Sequence, residues 1–387
     1  MPLALVLALS GCAVPRSRPA PTPPPPVQTP SIAVPPATPA PPAKAVLEPG
    51  TFADLPGWSA DDVVAGWQAF LQGCPSLRTQ PQWATVCDEG RDAGAAGESE
   101  LRRFIESRFV PHRVLPANAT SDGLLTGYYE PLLRGNRTPD DRNRHPLFGV
   151  PDDLITVDLS AVVPDSKNLR LKGRLSGRRL VPYWSRAEID KGKAPLAGKE
   201  LLWVDDPIDL FFLQIQGSGR VQLPSGELVR VGYADQNGHP YRSIGRLLVE
   251  RGELSVSAAS MQGIKAWALA NPDKLGALLD ENPSYVFFRE LPRGDGGPPG
   301  SMGVPLTPGR SIAVDPSSVP MGAPVFLDSI VPGGTAPLQR LVAAQDTGGA
   351  IKGAVRADFF WGFGDEAGAM AGRMRQPLRL WVLLPKP

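Results

Sequence analysis

Apolar positions change period along the chain. Between residues 54 and 113 they recur at spacings of three and four: Val63, Val64, Trp67, Phe70 and Leu71, then Leu101, Phe104, Ile105 and Phe109. Such stripes belong to amphipathic helices, so this region is expected to be mostly helical scaffold, with Asp61-Asp62 capping its first helix. From residue 123 the period shortens. Leu124 to Pro131 reads as a strand entering a turn, and its adjacent Tyr128 and Tyr129 should face opposite ways. Apolar runs at 154–159, 201–204, 209–216, 221–223 and 228–231, separated by Gly, Pro and Arg, predict short strands and a β domain. Within 209–216, Gln214 and Gln216 alternate with Leu213 and Ile215, which predicts an amide-lined strand face. Helical spacing returns at 242–251 and 257–270. A turn into a strand at 282–288 and a Gly/Pro-rich loop at 293–303 follow, then strands at 311–314, 324–327, 340–344 and 378–384. The chain is therefore expected to be mainly β with accessory helices.

The N-terminal end departs from this pattern. Leu3 to Leu9 is an apolar run too short to span a bilayer, which takes about 20 residues, but suited to the core of a secretory signal. It ends in Leu9-Ser10-Gly11-Cys12, which resembles a bacterial lipoprotein box, so Cys12 is expected to carry a lipid anchor. Residues 1–12 would be the signal and 13–48 a Pro-rich tether without regular structure. If Cys12 is acylated, Cys74 and Cys87 remain. In an exported protein a disulfide between them is favoured over two free thiols.

The folded part is long enough for two domains. With 40 basic against 39 acidic residues and a net charge of +1, no nucleic-acid footprint stands out. The three histidines (His112, His145, His239) stand at no ligand spacing from the cysteines, so neither a metal nor a cofactor is expected.

The candidate chemistry lies near the C-terminus. Asp346 ends an apolar run and opens a turn with Gly348, Gly349 and Gly353; Asp358 opens the aromatic run Phe359-Phe360-Trp361. An acid desolvated by such neighbours keeps its proton near neutral pH, as a general acid must. The competing view is that both are turn residues held by backbone N–H groups. A third aspartate, Asp315 in Ala313-Val314-Asp315-Pro316, also ends an apolar strand. An aspartic protease is disfavoured, because Asp346-Thr347-Gly348 has no second copy in the chain.

These three aspartates, with Thr126-Gly127-Tyr128-Tyr129-Glu130-Pro131, residues 212–219, 237–245 and 282–288, keep one order along the chain. The combination resembles the three-aspartate domain of the membrane-bound lytic murein transglycosylase A family. The resemblance implies a double-psi β-barrel built from both ends of the chain, residues 49–132 and 247–387. A second β domain, 133–246, would be inserted as the other wall of a substrate groove. It implies cleavage of peptidoglycan between N-acetylmuramic acid and N-acetylglucosamine with formation of a 1,6-anhydro ring. A single acid/base would suffice, assigned to Asp358, with Asp346 supporting it and Asp315 in the barrel frame. The two acids stand 358 − 346 = 12 positions apart, one more than the family pattern, so Asp346 is the second candidate acid. Tyr128, Tyr129, Gln216, Ser218, Asn237, Tyr241 and Arg242 fall in the matched motifs and would line the groove, one tyrosine stacking on a sugar. The partners implied are glycan strands and, through the lipid, the periplasmic face of the outer membrane; a monomer is expected. A hydrolytic glycosidase on a related barrel and a non-catalytic wall-binding lipoprotein are the alternatives.

Overall fold

The computed structural model describes residues 45–95, 97–117, 123–163, 171–294 and 296–386. The signal segment, Cys12 and the tether as far as residue 44 lie outside the described residues.

The first sheet draws strands from both ends of the described chain. Its centre is a ring in which β3 (Gly123–Glu130), β16 (Arg356–Phe363), β13 (Ser311–Val314), β15 (Pro337–Asp346), β14 (Pro324–Ile330) and β17 (Arg375–Pro385) are successive neighbours. β17 closes it: Arg375 to Leu378 pair with β3, and Arg379 to Val382 pair with β14. Closure leaves the ring no free edge. The far end of β17 carries β2 (Phe109–Pro116), which carries β1 (Ala45–Pro49). Two expectations fail here. Residues 45–48, assigned to the tether, are strand, because their backbone pairs with β2. Residues 109–113, within the stretch read as mostly helical, are also strand. Phe109 sits four positions from Ile105 and so continued the helical spacing, but the extended Val110-Pro111 follows it.

Three helices pack on the barrel: α1 (Val63–Leu77), α2 (Pro81–Ala95) and α3 (Glu98–Arg108). The buried stripe of α1 is Val63, Trp67, Phe70, Cys74 and Leu77, in one core with Leu341, Phe359 and Leu380. Gly66 allows the close approach, since a Cβ there would lie 2.5 Å from the Leu341 carbonyl oxygen. Asp62 caps α1 by accepting the Ala65 N–H. Asp61 does not cap; its buried carboxylate accepts from Arg310 (2.9 Å) and from the Leu341 N–H (2.7 Å), bolting the helix start to the barrel. Cys74 and Cys87 form a disulfide joining α1 to α2, with Cα atoms 5.6 Å apart.

The second sheet interrupts the first between β3 and β13. Its order is β12 (Val286–Glu290), β11 (Leu228–Gln236), β10 (Ser218–Gln222), β4 (Leu132–Asn136), β9 (Glu200–Val204) and β5 (His145–Phe148). A small sheet of β6 (Ile155–Val157), β7 (Leu171–Ser176) and β8 (Arg179–Pro182) and the short α4 (Arg186–Asp190) accompany it. The sheet does not end at residue 246, because β12 is its edge strand.

The run 209–216 is helix α5 (Pro207–Gln216), not a strand. Asp206 accepts the Ile208 N–H at its start, Pro207 opens the first turn, and Gly217 ends it at φ 79°. These end signals prevail over the short alternation, so the expected amide-lined strand face does not exist. The apolar surface of α5 packs on α6 (Ile244–Glu250), α7 (Met261–Ala270) and α8 (Pro272–Asp280) through Phe211, Ile244, Leu248, Trp267 and Leu278. A ninth helix, α9 (Gly364–Arg373), packs against the Tyr129 side of β3 through Ala367 and Ala371. The sequence reading assigned no helix to α8 or α9.

Candidate active site

Strand register brings two of the aspartates to one level. In the centre of the barrel Ala313 of β13 pairs with Asp346 of β15 on one side and with Asp358 of β16 on the other. Asp358 pairs in turn with Thr126 of β3, and Phe360 with Tyr128. Residues at one level share a face, and so do residues two apart on a strand. Asp346, Ala313, Asp358, Thr126, Tyr128 and Phe360 therefore form one patch, with the two carboxylate-bearing Cα atoms two strand spacings apart, about 10 Å.

The two acids meet different surroundings. Asp358 accepts a hydrogen bond from the Thr126 hydroxyl (2.5 Å), and that hydroxyl accepts one from Arg356 (2.8 Å). Burial is the main influence on Asp358 and pushes its pKa up to about 6; the Thr126 bond and the Arg356 charge oppose the rise, and Asp346 adds to it. Asp346 is also raised by burial, which outweighs the donors to its carboxylate: the N–H groups of Ser301 and Thr347 (both 2.9 Å) and the Tyr128 hydroxyl (3.0 Å). Around Asp358, only Phe360 shares its face. Phe359 and Trp361 meet edge to face, 4.9 Å between ring centres, and pack in the main core.

Asp315 stands apart. Burial raises its pKa, but the N–H of Gly353 (2.9 Å) and the hydroxyl and N–H of Ser317 more than offset this and hold it below the usual value. It ties the turn after β13 to the glycine-rich segment, where Gly353 adopts φ 113°.

The remaining expected groove residues divide. The Tyr128 ring is buried against Phe360, 5.2 Å between centres, and Tyr129 is buried on the opposite face against Ala367 and Ala371. Neither ring is open to stack on a ligand; Tyr128 works through its hydroxyl. Gln216, at the end of α5, accepts the Tyr129 N–H (3.0 Å) and so joins the insert to the barrel. Ser218 is buried at the start of β10. Asn237 has no exposed surface; its amide donates to the carbonyls of Trp184 and Pro283 and accepts the Tyr285 N–H. It is an internal bracket and does not face a groove. Tyr241 is exposed, and Arg242 pairs with Glu281 (2.6 Å); both border a separate cavity of about 300 Å³ with Arg246 and Glu250.

Sequence reading missed Thr126, Ser301 and Arg356 as partners of the acids. Thr126 lay inside a noticed motif, but nothing local shows that it meets a residue 232 positions away. A larger cavity, about 470 Å³, adjoins the patch where Phe360 lines it, and extends past Glu130, Arg220, Phe363 and the loop carrying Gly296 to Pro308.

Residues 124–289 match the model of the MltA specific insert domain, and residues 310–384 that of the 3D domain. The membrane-bound lytic murein transglycosylase A of Vibrio cholerae is 35% identical over 269 residues, which are 67% of this chain and 65% of that protein. This chain thus matches just under two thirds of that relative's length. The crystal structure of MltA from Neisseria gonorrhoeae (monoclinic form) superposes with a TM-score of 0.76 at 40% identity, covering 88% of this chain and 93% of that one. The structure of Escherichia coli MltA with bound chitohexaose superposes at 0.65 with 26% identity, covering 89% and 95%. The ring with its inserted sheet is thus the double-psi barrel architecture of those proteins, and the chain belongs to the membrane-bound lytic murein transglycosylase A family.

Proposed function

We propose that this protein is a peptidoglycan lytic transglycosylase with Asp358 as its one acid/base. The observation that carries the reading is the asymmetry of two carboxylates at one level of the barrel. Both are buried, but Asp346 accepts from two backbone N–H groups and the Tyr128 hydroxyl, while Asp358 accepts from the Thr126 hydroxyl and has a pKa pushed up to about 6. Two acids with different hydrogen-bond surroundings can serve different roles in one step.

In that step Asp358 gives its proton to the glycosidic oxygen between N-acetylmuramic acid and N-acetylglucosamine, and the C1–O4 bond breaks. Asp346, in its carboxylate form, stabilises the positive charge that develops at C1. Asp358, now a carboxylate, takes the proton of the muramoyl C6 hydroxyl, whose oxygen bonds to C1. The 1,6-anhydro ring closes and Asp358 regains its proton. The nucleophile is part of the substrate, so proximity supplies much of the rate. Support for a glycan ligand comes from the E. coli relative, which was crystallised with chitohexaose. The relatives' names also favour membrane attachment. We infer that the attachment is a lipid on Cys12 and that Ala13 after it directs the protein to the periplasmic face of the outer membrane. The inserted sheet, which runs from β4 to β12, would form the second wall of the groove.

The test compares release of soluble fragments from purified sacculi by the full chain, Asp358→Asn and Asp346→Asn. Loss of acid catalysis should cost at least about a thousandfold in Asp358→Asn. Asp346→Asn should retain measurable release. The reverse ranking would move the acid to Asp346.

A further inference from the structure

The small sheet of β6, β7 and β8 turns its apolar face away from the protein. Its registers set Leu175 opposite Leu180, Gly173 opposite both Pro182 and Ile155, and Leu171 opposite Val157. Residues opposite each other share a face, as do residues two apart on a strand, so this face is wholly apolar. The other face carries Thr156, Lys172, Arg174 and Val181. It is the charged face that packs on the insert. Lys172 donates to Asp235 of β11 (2.7 Å), and a Cβ on Gly238 would lie 2.7 Å from that of Lys172. The Arg174 guanidinium lies 3.6 Å from the Trp184 ring centre. The apolar face is left to solvent: Leu175 is 63% exposed, Leu180 47% and Leu171 39%. A sheet with one apolar face ordinarily turns that face to the core, so leucines paired across a hairpin and open to water mark a contact surface.

Charge decides between the occupants of that surface. From Leu171 to Pro182 the chain has four basic residues and no acidic one. Lys172 is neutralised by Asp235, and Arg174 is stacked on Trp184. Arg178, in the turn that Gly177 opens at φ 60°, and Arg179, at the start of β8, are exposed and have no acidic partner among the described residues. The hairpin tip thus presents two leucines and two unpaired guanidiniums together. A protein partner would have to place acids at fixed points around an apolar pocket. A layer of anionic headgroups over hydrocarbon meets both needs at every point of its surface.

We propose that the β7–β8 hairpin is a membrane-contact surface. Leu175 and Leu180 enter the interfacial layer of an anionic bilayer, and Arg178 and Arg179 bind its headgroup phosphates. The contact would act beside a lipid on Cys12 and does not require one, and it is independent of the reaction at Asp358.

The test uses the full chain carrying Leu5→Asp, Leu7→Asp and Cys12→Ala, so that its first residues neither insert nor take a lipid. Binding is read by sedimentation with vesicles of phosphatidylglycerol and phosphatidylethanolamine, and with vesicles of phosphatidylcholine alone. The protein is expected to bind the anionic vesicles at low salt and the neutral ones at least tenfold more weakly. Adding Leu175→Ser with Leu180→Ser should weaken anionic binding at least tenfold. Adding Arg178→Gln with Arg179→Gln should weaken it about fivefold per arginine and flatten its salt dependence. All four side chains are exposed, so both variants should keep the parent's near-ultraviolet dichroism. No sedimentation with anionic vesicles, or equal sedimentation of the leucine variant, would overturn the proposal. Self-association that the leucine variant loses, with no vesicle binding, would also overturn it and assign the face to a second copy of the chain.

Discussion

Asp358 is uncharged when buried comfortably and charged when its proton has been given away, and both states have measurable consequences. As the proposed acid it must begin protonated, so kcat/KM should fall as pH rises through about 6. The hydroxyl of Thr126 opposes that raised pKa. Thr126→Val keeps the side-chain shape and removes the donor. The alkaline limb of the pH–rate profile should therefore move to higher pH, with a rate loss of about tenfold. Folding stability follows the same proton. The folded state binds it more tightly than the unfolded chain, whose carboxyl titrates near 3.8. The stabilising contribution is full below that value and is lost as pH rises through about 6. Asp358→Asn carries no charge at any pH. It should match the parent in urea unfolding near pH 4 and exceed it by about 2 kcal/mol near pH 8. Equal stability at both would mean that Asp358 is not held in a desolvated site.

Among the elements, α1 and α2 show what a local pattern can and cannot reveal. Their disulfide closes a short loop, so the double variant Cys74→Ala, Cys87→Ala should lose about 3 kcal/mol of stability while keeping its kcat/KM, because neither sulfur reaches the acid patch. The core stripes of α1 and α3 were legible, since Val63, Trp67, Phe70 and Leu101 follow the helix period that burial requires. Strand β3 was legible too, down to the opposed tyrosines. Helix α5 was misread because four alternating residues weigh less than an Asp206 cap and a Gly217 stop. For the site, Asp346 and Asp358 could be picked out by chemistry alone. Their meeting across Ala313 could not, because register between β13, β15 and β16 is decided by closure of the barrel and leaves no mark in any single stretch. For the same reason Asn237 was taken for a ligand residue. A polar residue in a recognisable motif looks the same whether it faces a groove or brackets two backbone segments.

For the whole molecule, the ring depends on its last strand. β17 is the element that joins β14 to β3 and carries β2, so a chain ending after Met374 should fail to fold cooperatively, as read by near-ultraviolet dichroism and the loss of a single unfolding transition. The insert is tied to that ring through Gln216 at Tyr129 and Arg220 at Glu130, so the two sheets are coupled at the strand that carries Thr126. The central claim is that the substrate's own hydroxyl, activated by Asp358, replaces water in bond cleavage. The most direct measurement is the exact mass of the fragments that the full chain releases from purified sacculi. Muropeptides lighter by one water, ending in the 1,6-anhydro ring, are the predicted result. Fragments with an intact reducing end would contradict the account and make the protein a hydrolase.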